Sequence, residues 1–184
     1  MIQRKSILHY LGIFALLLVL MSVSSCNKVG KAAKFDLEYD VSFTLQDTCQ
    51  IGIEYDFFAN TGTKSQDTFA LEQTNNDLVK TIRMTELKLS LTAPNGYDFQ
   101  PLDTVKVYMS APGYTNTLIA DKTNIFQFAT DLEFDDFLDT DYKFFVFKDE
   151  LLFNLKVTFD DALTTDLIVN LHCKFHVDAE EVQE

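Results

Sequence analysis

The chain has no tryptophan and only three cysteines, and its 15 Lys and Arg are outnumbered by 28 Asp and Glu. The shortage of cations excludes nucleic acid as a partner, because phosphate binding needs clustered Lys and Arg. Several catalytic signatures are also missing. There is no Ser-centred elbow, no phosphate-binding glycine loop and no Cys-x-x-Cys. No helical repeat, internal repeat or low-complexity stretch appears. The longest apolar run, from Ile7 to Val23, counts 17 residues, short of the roughly 20 that span a bilayer. What remains is a chain rich in phenylalanine, with 17.

That apolar run follows Arg4 and Lys5 and ends in Val23-Ser24-Ser25-Cys26. A basic start, a short apolar core and small residues before a cut site describe a secretory signal. The last four residues resemble the lipobox of bacterial lipoproteins. The resemblance implies that residues 1–25 are removed and that Cys26 becomes the first residue, carrying lipid on its thiol and acyl chain on its amine. Several chains together anchor far better than one. Residues 26–34 then form a tether, with Lys28, Lys31 and Lys34 making it basic, suited either to anionic head groups or to simple solvation. Asn27 stands where an aspartate would retain an enterobacterial lipoprotein in the inner membrane, so the outer membrane is expected. The acidic residues that often follow the cysteine in surface-exported Bacteroidetes lipoproteins are missing.

Cleavage leaves 184 − 25 = 159 residues, one domain by length, with a net charge of 13 − 28 = −15. Cys49 and Cys173 then remain. In an exported protein they could form a disulfide, provided their Cα atoms lie within about 7 Å. The alternative is a pair of buried thiols acting as small hydrophobes.

The domain, residues 35–178, is dominated by alternation. Phe35, Leu37, Tyr39, Val41, Phe43 and Leu45 are separated by polar residues, which is the period of a half-buried strand. Cys49, Ile51, Ile53, Tyr55 and Phe57 repeat it after a turn. Further alternating runs fall at 87–91, 105–109, 151–159 and 167–177. Shorter strands are expected at 68–73, 117–120 and 125–134, the last with Phe126, Phe128, Leu132 and Phe134 on one face. Residues 59–66 read as a polar loop, 78–83 stay unassigned, and 135–141 read as an acidic connection. Residues 142–147 are apolar on both parities. That pattern suits either a central strand covered on both sides, which is favoured, or an exposed interface. Residues 179–184 form an acidic tail. Nine or ten short strands with turns between them predict an all-β antiparallel sandwich.

The run MTELKLSLTAPNGYDFQPLDTVKVYMSAPGYTNTLIADK, Met84 to Lys122, resembles the middle of Bacteroidetes lipoproteins with an immunoglobulin-like β-sandwich domain. The signal segment and the late strands fit the same pattern. The resemblance implies an immunoglobulin-like fold and brings no catalytic residue.

Three side-chain groups invite chemistry. His172 and His176 lie four apart on the polar face of a strand, about 13 Å between Cα atoms, too far for one ion to bridge. Asp131, Glu133, Asp135, Asp136, Asp139 and Asp141 could offer oxygen to calcium but lack the spacing and glycine of an EF-hand. Carboxylate pairs abound, yet nothing marks the pocket that acid–base catalysis needs. No metal, cofactor or catalytic residue is therefore expected. The expected role is a membrane-anchored, non-catalytic binding or assembly module, with contact loops at 59–66, 95–102 and 112–116. A glycan-binding accessory role is the alternative, with Tyr97, Phe99 and Tyr114 as its platform.

Overall fold

The computed structural model describes residues 31–125 and 128–182, so Cys26 and Phe126 lie outside the described residues. Eight strands form two antiparallel sheets of four. They are β1 (Ala32–Leu45), β2 (Glu54–Gly62), β3 (Val79–Ala93), β4 (Leu102–Ser110), β5 (Thr117–Thr123), β6 (Asp131–Glu133), β7 (Glu150–Phe159) and β8 (Leu167–Glu180). The first sheet runs β1-β8-β3-β6 and the second β2-β7-β4-β5.

The antiparallel β-sandwich predicted from the alternation is thus present, with eight strands. Its wiring, which the sequence alternation does not encode, crosses between the two sheets at every connection except β4–β5 and pairs the first strand with the last. That is the double Greek key of a jelly roll, whereas the immunoglobulin order sets strands A and B side by side in one sheet.

β8 occupies the middle of its sheet, and its inward residues Leu167, Val169, Leu171, Cys173, Phe175, Val177 and Ala179 are fully buried. Its pairing with β1 is unbroken, from Leu45 opposite Leu167 to Ala32 opposite Glu180. β7 plays the same part in the second sheet, with Leu151, Phe153, Leu155, Val157 and Phe159 inward. Each such large side chain contributes about 1.5–3 kcal/mol by leaving water. β8 extends to Glu180 and so takes in residues assigned to the acidic tail.

Local expectations failed where a short apolar pattern fits two periods. Residues 68–73 are not a strand: β2 continues to Gly62, and a helix α1 (Ser65–Leu71) follows. Phe69 anchors it edge-on against Phe35 and Phe147, and the Ser65 hydroxyl donates to the carbonyl of Val146 at 2.8 Å. Residues 142–147 are not a covered strand either. They form a helical turn, α2 (Lys143–Val146), in which Tyr142, Phe145 and Val146 share the inner side at i, i+3 and i+4 while Phe144 faces out. Residues 46–53 are turns rather than the start of β2, so Ile51 and Ile53 are exposed. Phe128 is exposed too, and the strand near it shrinks to β6. The unassigned residues 79–83 belong to β3.

Candidate functional site

The strand directions sort the connections into two groups. Residues 46–53, 94–101, 124–130 and 160–166 lie at one end of the sandwich. Residues 63–78, 111–116 and 142–149 lie at the other, beside the start of β1 and the finish of β8. The strands of the first sheet's β1–β8 pair are 14 residues long, so the two ends stand about 45 Å apart.

The four loops of the first group are stitched in a row. The Asp47 amide donates to Asp166 Oδ1 at 2.9 Å, the Tyr97 and Thr164 hydroxyls pair at 3.1 Å, and the Phe99 amide donates to the Ala129 carbonyl at 3.1 Å. Gly52 and Gly96 hold φ of 74° and 87°, the left-handed region that a side chain resists, and so permit two of these turns. These loops carry Asp47, Asp98, Asp160, Asp161 and Asp166 and no Lys or Arg. Among them Ile51, Ile53, Tyr97 and Phe128 are exposed. This acidic end with scattered apolar side chains is the candidate contact surface. Sequence reasoning missed Ile51, Ile53 and Phe128 because each continued an alternating pattern that the chain breaks.

The three aromatics of the alternative, glycan-binding reading do not share one surface. Phe99 has no exposed surface: its amide and ring turn inward to seal the end of the core. Tyr97 is 37% exposed at the acidic end, and Tyr114 lies at the opposite end. The proposed contact loops divide the same way. Residues 95–102 belong to the acidic end, whereas 59–66 and 112–116 belong to the other.

Of the two alternatives for the cysteines, the structure shows buried thiols: Cys49 and Cys173 are both free. Cys49 sits in the turn after β1. Cys173 lies opposite Tyr39, six positions into β8, or about 20 Å from that turn. No bridge can span that distance. Burial, with a smaller contribution from Asp40, pushes the Cys173 thiol far above its ordinary value, so it is not a nucleophile. Its Sγ–H donates weakly to the Tyr39 carbonyl at 3.7 Å.

The histidines lie on the outer face of the first sheet, as alternation predicts. His176 pairs with Asp36 at 2.8 Å and His172 with Asp40 at 3.0 Å, across the β1–β8 ladder. The Asp36 carboxyl is held below its ordinary value by His176 and then Lys174. At Asp40 desolvation acts upward, but hydrogen bonds from Asn170 and His172 outweigh it and the net direction is down. On the second sheet Glu54 is lowered by Lys106 and then Lys156, and Asp56 mainly by the Asn154 amide. These are exposed ion-pair ladders that match neighbouring strands.

The acidic run at 131–141 has structural duties. Asp131 accepts from Ser90, Asp139 pairs with Arg83, and Asp141 accepts from the amides of Ile82 and Lys143. No group of three or more metal-ligating side chains occurs among the described residues. A cleft of about 470 Å³ is lined by Thr85, Glu86, Leu87, Glu133, Phe134, Asp135 and Phe137. Its three carboxylates are all exposed, unlike the enclosed setting of acid–base chemistry.

No protein-family model and no curated protein matches the chain. The solved structures it is similar to include several viral ones. The decameric BFDV capsid protein shares 12% identity over 82% of this chain and all of that one, with a TM-score of 0.37. Desmodium yellow mottle tymovirus shares 9% over 84% of this chain and 91% of that one, and turnip yellow mosaic virus 12% over 82% and 85%, both with a TM-score of 0.26. At such scores these likenesses carry no argument about this chain. The strand order above rests on its own hydrogen-bond register.

Proposed function

We propose that this chain is a lipid-anchored, non-catalytic binding or assembly module of the cell envelope, held at the outer membrane through Cys26. The observation that carries the reading is polarity of the sandwich. The chain enters at one end, six positions after Cys26, and the cation-free loop row stands about 45 Å away at the other. A lipid at Cys26 would fix the location, the rigid sandwich would act as a post, and residues 46–53, 94–101, 124–130 and 160–166 would engage a partner protein. Buried, unreactive thiols and solvated carboxylate pairs favour display over catalysis.

Fractionation tests it. Intact protein should enter the membrane fraction with acyl chains on Cys26 by mass spectrometry, and Cys26→Ala should be released. An unmodified Cys26 on membrane-bound protein sinks the reading. Protease shaving of intact cells then decides between the outer surface and the periplasmic face. A glycan-binding accessory role is the second reading. It is favoured by the exposed rings of Tyr97 and Phe128 on adjoining loops, and a glycan array separates it from the first.

A further inference from the structure

The end where the chain enters differs from the acidic end in what it exposes. Leu71, at the last position of α1, is 81% exposed. Phe144 on α2 is 62% exposed, and Tyr114 of the β4–β5 loop 40%. The Tyr114 and Phe144 rings lie 6.2 Å apart, and the Lys148 ammonium sits 5.2 Å from the centre of the Tyr114 ring. These are not neighbours by accident of one loop. The Ser65 hydroxyl ties α1 to Val146 of α2, and the Val182 amide ties the segment after α1 to the finish of the chain through Gln73. Lys31, Lys64, Lys143 and Lys148 all lie at this end, interspersed with acids, whereas the four loops of the far end hold five aspartates and no cation.

Chain length limits what can cover this surface. Ala32 opens β1 six positions after Cys26. Fully extended, that stretch reaches at most about 22 Å. A lipid at Cys26 therefore keeps the bilayer within about half the length of the sandwich. Two orientations satisfy the tether, end-on and side-on. Side-on contact would press a sheet face against lipid. The outer face of the first sheet carries Asp36, Glu38, Asp40, His172, Lys174 and His176 in ion pairs. That of the second carries Glu54, Asp56, Lys106 and Lys156 in ion pairs, beside the exposed Phe58, Leu118 and Leu152. Desolvating such pairs costs more than their attraction returns. The tether end presents instead an aliphatic side chain and two aromatic rings, one beside an ammonium, a composition suited to the membrane–water boundary.

We infer that the tether end of the sandwich is a membrane-contact surface, in which Leu71, Tyr114 and Phe144 enter the interfacial layer of the bilayer and hold the domain upright. The inference rests on the lipid-anchor reading of Cys26 and goes beyond it by naming the face that meets lipid. The contact converts a loose leash into a fixed post, with the acidic loops pointing away from the anionic surface.

Depth-dependent quenching tests it. The lipidated protein, with Cys49→Ser, receives a single environment-sensitive thiol probe through Phe144→Cys, Leu71→Cys, Phe58→Cys or Ile51→Cys. Each variant is reconstituted in phosphatidylcholine vesicles with and without a nitroxide near the head group. Probes at 144 and 71 should lose fluorescence in nitroxide vesicles, and probes at 58 and 51 should keep it. Flotation with the vesicles reports the anchor separately. Protein that floats but is quenched at 58 or 51, or is unquenched at 144 or 71, overturns the membrane contact and leaves the anchor standing. Protein that carries lipid but does not float, or carries no lipid, overturns both.

Discussion

The carbonyl of Lys31 accepts a hydrogen bond from the amide of Glu181 at 2.9 Å, and their side chains pair at 3.0 Å. The point where the chain enters the sandwich is thus clasped to the point where it leaves. Everything between is enclosed by a ladder of fourteen pairs between β1 and β8, the two strands farthest apart in sequence. The first sheet is not complete until β8 arrives, because β8 is the partner of both β1 and β3. Such non-local closure predicts slow folding relative to helical domains of this size.

The center of that ladder should be the most sensitive position in the protein. Phe175 is fully buried, with its ring 5.8 Å from Tyr39 and 5.2 Å from Tyr142. Phe175→Ala should cost about 3–5 kcal/mol, as large-to-small core changes do. Urea unfolding measures it. A loss below about 1 kcal/mol would mean the two sheets do not close on this ring.

Tyr97 and Phe99 are two residues apart and should answer opposite questions. Phe99→Ala removes a sealed ring from the end of the core and should destabilise by about 3 kcal/mol or more. Tyr97→Ala removes an exposed ring with one hydroxyl contact to Thr164 and should change stability by about 1 kcal/mol or less. Any loss of partner or glycan binding should therefore follow Tyr97 in a protein that still melts normally. Equal stability losses would place both rings in the core.

The contrast between these two tyrosine-loop positions shows what was legible in the sequence. Long alternating runs such as Phe35 to Leu45 and Leu167 to Val177 set strands and inward faces correctly, because each additional residue of the right parity strengthens one period over the other. Residues 142–147 carry too few positions to distinguish period two from 3.6, and the helical turn won by burying Tyr142, Phe145 and Val146 together. In residues 94–101, the turn that Gly96 permits decides which ring points inward, and ring type does not reveal that. The distance between Cys49 and Cys173 depends on register, which no spacing in the sequence supplies. The polarity of the two ends, with lysines near the tether and bare aspartates opposite, was written in the sequence but became visible only once strand order assigned each loop to an end.

The cysteines make a simple chemical prediction. Protein purified without reductant and then denatured should take up two alkyl groups on Cys49 and Cys173, and none should be protected as a bridge. In the native state Cys173 should react far more slowly, since its thiol is sealed within β8 and its thiolate is disfavoured by burial. Reductant should leave the melting temperature unchanged. A two-proton mass deficit between these positions would require a different register for β8.

Acid should weaken the sandwich through its outer ladders. Asp36, Asp40, Glu54 and Asp56 all have native values below the ordinary 3.8 or 4.5. A carboxyl lowered by folding stabilises the native state fully above its ordinary value, and this support fades as the pH falls through the lowered native one. Stability should hold at mildly acid pH and drop below about pH 4. Asp36→Asn should be less stable than the parent near neutrality, and the two curves should converge as the pH falls toward about 2. Urea midpoints across this range check it. A constant offset between the curves would show that the His176 and Lys174 pairs to Asp36 contribute nothing through charge.

The buried hydroxyl of Tyr39 leads to a substitution that should help rather than harm. Its ring packs edge-on against Phe175, but no protein group among the described residues accepts or donates to its hydroxyl. Burial, and then the neighbouring Cys173, pushes the phenol well above its ordinary value, so it stays protonated at any working pH. Folding therefore strips bulk water from this hydroxyl without returning a hydrogen bond from a described protein group, a cost of about 1–3 kcal/mol. Phenylalanine keeps the ring, the volume and the contact with Phe175 and removes only the oxygen. Tyr39→Phe should therefore raise stability by about 1 kcal/mol, part of the desolvation saving being offset by the small void left behind. Thermal and urea unfolding both read the change. A loss of stability of similar size would mean that the hydroxyl has a buried water as its partner.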